Sequence, residues 1–229
     1  MIWTQTQSHL NSSSMTETYF NNASGADIVL ELVKAIHQNK DYLSEIDGKI
    51  GDGDHGINMN KGFVMAGEKI TSDMSFSSAM KLLGDTLLME IGGSMGPIYG
   101  TFFRKAAKTI KDYQEIDAPT FALMLRNALD GIQDIGGAKE GDKTLIDCFA
   151  PSLRAFENSI KGGADFASAL KAASNAAEEG KDSTKDMMAK VGRASRLGER
   201  SIGVLDAGSV SCCIILTTLY QAIAERLVG

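Results

Sequence analysis

The chain has 229 residues, 43% hydrophobic and 23% charged, which fits one globular domain and excludes a disordered chain. Its formal net charge is −6 and no Lys/Arg cluster stands out along the sequence, which argues against a nucleic-acid binder. Only 3 prolines, 7% aromatics and abundant Ala, Met and Leu favour helices over strands. Cys148, Cys212 and Cys213 form no C-x-x-C pair and sit in apolar helical patterns, so they read as core residues of a protein in a reducing compartment.

Residues 1–23 are polar and rich in Ser, Thr and Asn. They lack the basic start and apolar run of a signal peptide and read as a flexible tail, with Met15 as an alternative start. Residues 24–229 then form a single domain. Ile28, Leu30, Leu32, Val33 and Ile36 mark a first amphipathic helix starting near Ser24 or Asp27, with a short second piece at Tyr42–Ile46. A Gly/Asp loop follows at 47–56, and Asn58–Ile70 is helical again. Further apolar stripes run through Phe76–Leu88, Ile98–Ile110, and Phe121–Ile132 after Pro119. Leu145–Ile160 is helical, with Pro151 able to kink it. Ala164–Glu179, a weaker stretch over Asp182–Val191, and Val210–Leu227 complete the set. There is no alternating strand pattern. The spacing predicts an all-α protein, an antiparallel up-and-down bundle of about eight helices with short connections. No apolar run reaches the roughly 20 residues of a membrane span. The longest, Val210–Leu216, is far shorter, so a cytoplasmic protein without a membrane segment is expected.

Four loops are rich in Gly, Asp, Ser or Arg: 47–56, 91–96, 136–142 and 192–208. Alternate loops of an up-and-down bundle lie at one end, so these four are able to build one composite site. In the first, Asp47, Asp52 and Asp54 are interleaved with glycines. Hard divalent cations such as Mg²⁺ take carboxylate oxygens in such a turn, whereas the alternative is a solvated turn with Asp52 or Asp54 capping the next helix. The EF-hand pattern fails, because Gly56 and Phe63 stand where an acceptor and a Glu are needed. His55 either contacts a ligand or supports the loop, and His9 and His37 look incidental. In the second loop, Ser94 and Met95 lie among glycines before Pro97. Bare N–H groups at a helix start suit an anion, although close helix packing explains the same residues. Neither a Walker A loop nor a dinucleotide fingerprint is present. In the third, Asp142 or Thr144 is placed to cap the following helix. In the fourth, Arg193, Arg196 and Arg200 offer phosphate ligands or surface pairs with Glu. No nucleophile constellation occurs. The residues by themselves describe a helical bundle with a metal-assisted phosphate or nucleotide site.

Together, in order, the stretches Asp47 to Phe63, Gly92 to Phe103, Gly141 to Asp147 and Gly192 to Gly203 resemble the nucleotide-binding L subunit of dihydroxyacetone kinase. The likeness spans about residues 24–228. It implies a barrel of eight antiparallel helices with the nucleotide at one end. It also assigns Asp47, Asp52 and Asp54 to two Mg²⁺ ions, and no catalytic residue beyond that metal–nucleotide site. Nucleotide contacts fall to His55, Gly56, Ile57, Asn58, Ser94, Met95, Gly136, Leu145, Arg193, Asp206, Ala207 and Gly208. The implied activity is that of a subunit holding ADP as a cofactor. A phosphocarrier subunit of the M type, charged from phosphoenolpyruvate, converts this ADP to ATP in place. The phosphoryl group then passes to dihydroxyacetone held on a K-type subunit. Further partners implied are a transcription regulator and a second copy in a homodimer. The chain departs from the family in having Ser94-Met95 for Ala-Ser, and Val204 to Gly208 for His-Gln-Asp-Pro-Gly. The change to Ala207 frees the backbone beside the nucleotide. A free-ATP kinase subunit for another short ketose and a nucleotide-charged regulator are the alternative readings.

Overall fold

A computed structural model describes residues 18–229. It contains eight α-helices: α1 (Ala26–Ile50), α2 (His55–Gly67), α3 (Phe76–Glu90), α4 (Met95–Ile110), α5 (Ala118–Gly136), α6 (Ile146–Lys161), α7 (Phe166–Ser183) and α8 (Ala207–Ala224). Each helix packs on the next in sequence, and α8 packs back on α1, which closes the ring into the expected all-α barrel. A two-stranded antiparallel ribbon, β1 (Tyr19–Asn21) with β2 (Glu115–Asp117), leads directly into α1 and α5. Odd-numbered helices therefore start at the ribbon end, and even-numbered ones start at the opposite end.

The ribbon end is sealed by aromatic rings. Phe20 meets Phe76 edge-on at 5.6 Å, and Phe121 meets Phe156 at 5.3 Å and Phe166 at 5.7 Å. Side-chain caps start three helices there. Ser75 accepts from Ser78 N–H (3.0 Å), Asp117 from Thr120 N–H (2.9 Å) and Asp165 from Ser168 N–H (2.7 Å).

The structure revises several expectations. The tail does not extend to residue 23: β1 pairs with β2, and Phe20 is fully buried, so a polar composition conceals one aromatic anchor. Residues 1–17 of that tail lie outside the described residues. The first helix is not in two pieces but runs unbroken to Ile50, carrying Asp47 on its last turn rather than in a loop. α6 runs through Pro151, whose missing N–H frees the Asp147 carbonyl where Gly180 of α7 approaches closest. The weak helix over 182–191 is replaced by the end of α7 and one 3₁₀ turn, Thr184–Asp186. The reason is chemical, since the carbonyls of Thr184 and Met187 turn inward to the Lys143 ammonium instead of continuing a helical ladder. α8 has the expected 18 residues but starts and ends three positions earlier, and is long and apolar enough by composition to cross a membrane. Two thirds of it (67%) is buried against its neighbours, which accounts for its apolarity as a core helix.

Candidate functional site

The four Gly-rich connections meet at the end opposite the ribbon, around a cavity of about 830 Å³. That volume falls within the usual range for small-molecule sites. α1 delivers Asp47 from its last turn. Gly53, at φ +78°, turns the chain so that Asp52 and Asp54 come back beside it. Carboxylate oxygens of the three lie within 4.8 Å of one another, Asp47 half-buried and the others exposed. Opposite ligands of one octahedral Mg²⁺ stand about 4.2 Å apart, so small side-chain rotations seat these oxygens around a cation. Three clustered negative charges of hard oxygen chemistry fit Mg²⁺. The capping alternative fails: Asp54 occupies the N-cap position of α2, but its side chain caps nothing. Instead Asp47 Oδ2 accepts from the His55 N–H at 3.2 Å, a contact that ties the cluster to the start of α2. Arg193 of the fourth loop forms an ion pair with Asp52.

His55 is buried. Ser211 Oγ lies 2.9 Å from its Nε2 and 2.6 Å from the Tyr99 hydroxyl, and donates to the Gly208 carbonyl at 3.0 Å. The Tyr99 hydroxyl also donates to the Gly208 carbonyl, at 3.3 Å. Burial lowers the His55 pKa, and the nearby Asp47 charge only partly opposes this, so the ring is neutral. This chain of bonds joins α2, α4 and α8 beneath the cavity.

The Gly141 to Asp147 stretch is a built turn. Asp147 accepts from the N–H groups of Gly141 (2.6 Å) and Thr144 (2.9 Å), and Asp142 from Lys139 N–H (3.0 Å). Lys143, at φ +62°, is 2% exposed. Its ammonium donates to the carbonyls of Thr184 (2.7 Å), Met187 (3.2 Å), Ser201 (2.8 Å) and Val204, which pins the fourth loop to the third. Burial lowers the Lys143 pKa, against the opposing charges of Asp206 and Asp186. Asp206 caps α8 by accepting from Ser209 N–H at 2.7 Å. Burial raises its pKa to about 7, opposed by that hydrogen bond and by Lys143.

Of the residues singled out from sequence, the cavity is lined by Asp47, Asp52, Asp54, His55, Asn58, Ser94, Met95, Gly136, Leu145, Arg193, Asp206, Ala207 and Gly208. Gly56 and Ile57 are not among its walls. Gly56 is packed on α1, where a Cβ would strike the Lys40 carbonyl, and Ile57 points to solvent at 62% exposure. Sequence reasoning missed the apolar wall of Ile98, Ile132 and Ile135, and the anchoring roles of Lys143, Tyr99 and Ser211. Periodicity signals only that Ile98 and Ile132 are apolar helix positions, and nothing marks a lysine as buried.

A closed ring of eight helices with an acidic, glycine-rich mouth defines a helical-barrel domain with a candidate cation site at one end. The chain belongs to the DAK2 domain family, whose pattern residues 49–221 match. Asp52 and Asp54 fall within that range and Asp47 just before it. The chain is 40% identical over 187 residues to the "PEP-dependent dihydroxyacetone kinase, ADP-binding subunit DhaL" of Escherichia coli, covering 81% of this chain and 89% of that one. It is 34% identical over 217 residues to the "PEP-dependent dihydroxyacetone kinase 2, ADP-binding subunit DhaL" of Listeria innocua, covering 93% and 100%. Among solved structures, the fold matches the dihydroxyacetone kinase of C. freundii in complex with AMP-PNP and Mg²⁺. That match has a TM-score of 0.65 at 22% identity, over 96% of this chain and 38% of that one.

Proposed function

We propose that this chain is the ADP-binding L subunit of a phosphoenolpyruvate-dependent dihydroxyacetone kinase, working in the cytoplasm with a K-type and an M-type partner. The observation that carries the reading is the Asp47–Asp52–Asp54 cluster at the mouth of a nucleotide-sized cavity. The start of α4 supports the same reading: it begins at the cavity with no side-chain cap on its first turn. Such an N-terminus carries partial positive charge and suits phosphate oxygens.

Asp47, Asp52 and Asp54 would hold two Mg²⁺ ions. Bound nucleotide and magnesium together supply a transferable phosphoryl group with its charge neutralised. Asp47 also orients the start of α2 through the His55 N–H. Arg193, relieved of Asp52 once cations take that carboxylate, is placed to reach a phosphate. Ile98, Ile132, Ile135 and Leu145 offer an apolar wall to a base, and Met95 packs partly into the core beside them. The rim exposes Ile57, Met89 (76%), Ile135 (53%) and Ile202, an apolar border suited to the K-type partner that presents dihydroxyacetone.

The test is nucleotide released by denaturing the purified protein after dialysis with Mg²⁺. Stoichiometric ADP is expected, and Asp52→Ala or Asp54→Ala should abolish retention with the fold intact. Undiminished retention in both variants refutes the metal-bridge reading. A second reading has a specific support: the chain is 33% identical to the L-erythrulose kinase of Pectobacterium atrosepticum, spanning 31% of its length. An empty site that binds ATP reversibly would favour such a free-ATP ketose kinase.

A further inference from the structure

The wall formed by α3 and α4 carries a cleft of about 530 Å³, on the outside of the barrel and away from the four-loop mouth. The close approach of Gly84 and Gly100 brings the two helices together there. Five cations line it: Lys81, Arg104, Lys105, Lys108 and Lys111. Four of them, Arg104, Lys105, Lys108 and Lys111, fall within eight residues of α4 and its end, and α3 adds Lys81, so a short basic run is present after all, contrary to the expectation that no Lys/Arg cluster stands out. Asp85 stands at its edge, paired with Lys81 and Arg104, and no carboxylate is among the lining residues themselves, in a chain of net charge −6. Among the described residues, Lys105, Lys108 and Lys111 form no ion pair.

We propose that this cleft docks an acidic segment of a partner protein. The molecule shows how a carboxylate sits there: Asp85 lies 2.7 Å from Lys81 and 3.1 Å from Arg104. Arg104, Lys108 and Lys111 continue from that point at i, i+4 and i+7, a row about 10 Å long. Such a row matches carboxylates spaced along a helix, whereas a single phosphate would engage only one or two of these side chains. A compact phosphate site would also need backbone donors. Those at the start of α3 are taken, by Asn22 on Phe76 and Ser77 and by Ser75 on Ser78. The lining has no large apolar side chain to enter a bilayer. This inference stands apart from the nucleotide reading.

The test uses the full chain and a fluorescent peptide of about three helical turns with Glu at i, i+3 and i+4 spacing, beside its Gln counterpart. Fluorescence anisotropy is expected to show saturable binding of one Glu peptide per chain. Binding should weaken about tenfold or more for the Gln peptide and for the Lys105→Glu/Lys108→Glu variant. It should also fall as salt rises from about 50 to about 300 mM. Circular dichroism checks that the variant is folded, and Lys108→Gln/Lys111→Gln gives a milder second comparison. Equal binding by both variants, or crosslinks from the peptide to the four-loop end, would overturn the proposal. So would tighter binding of inorganic tripolyphosphate than of the Glu peptide at equal charge, which assigns a small polyanion. Pelleting with phosphatidylglycerol vesicles without peptide binding would assign a membrane and overturn it as well.

Discussion

Replacing Lys143 by Met removes the one donor shared by four backbone carbonyls while keeping the volume of the stem. The carbonyls of Met187 and Val204 belong to half-buried residues and can take water. Those of Thr184 and Ser201 belong to fully buried residues and cannot, unless the segment opens. Thr184 keeps the Met187 N–H at 3.2 Å, so the acceptor left unpaired is Ser201, at about 1–3 kcal/mol, with a smaller loss at the other carbonyls and a partial offset because a buried ammonium no longer has to be desolvated. The net is a loss of about 2 kcal/mol, a fall of roughly 4–8 °C in Tm for a domain of this size. Urea denaturation gives the global term. Amide exchange gives the local one, and should accelerate by about thirtyfold across residues 184–206, as about 2 kcal/mol requires. Affinity for Mg-ADP should fall with it, since Arg193 and Asp206 lie on that segment. Unchanged exchange in 184–206, with stability within about 0.5 kcal/mol of the parent, would refute the assignment of Lys143 as the anchor.

Gly56→Ala should cost about 1–3 kcal/mol in urea denaturation, because its methyl meets the Lys40 carbonyl. Gly92→Ala, which meets nothing within 4 Å, should stay within about 0.5 kcal/mol. Ser211→Ala removes the partner of His55 Nε2, whereas the Tyr99 hydroxyl keeps the Gly208 carbonyl at 3.3 Å. It should cost about 1–3 kcal/mol, against about 1 for Tyr99→Phe. Nitrogen NMR of His55 should show the loss of its Nε2 partner. Asp206, raised to about 7, binds more protons folded than unfolded between about pH 4 and 7, so its contribution is present at low pH and lost as pH rises through 7. In magnesium-free protein the stability difference between Asp206→Asn and the parent should therefore grow in favour of the variant from pH 5.5 to 7.5. A difference independent of pH would contradict the burial of that carboxylate.

The barrel was legible because amphipathic stripes at helical spacing survive in sequence, and alternate loops of such a bundle share an end by geometry alone. The Asp triad was legible because carboxylates interleaved with glycines concentrate chemistry in one short stretch. The ribbon was not, since three-residue strands such as Tyr19–Asn21 are too short to show alternation and are fixed by partners about 95 residues away. Lys143 was not, because a lysine's burial is decided by carbonyls 41 to 61 residues downstream. The cationic cleft was half legible: Arg104 to Lys111 is a basic run in the sequence, and only the packing of α3 on α4 adds Lys81 to it.

Tyr19 exchanges backbone hydrogen bonds with Val228 at 2.9 and 2.8 Å, at the sealed end of the barrel. The first described strand and the last residues of the chain are thus already joined, side by side, a full helix length from the acidic mouth. A covalent linker between them would close a loop that folding has nearly closed, at little entropic cost. The chain could then be reopened elsewhere, and a circular permutant cut in an exposed turn of the ribbon end, such as Gly162-Gly163, should keep the four mouth loops intact. The architecture separates where the polypeptide is stitched from where it binds.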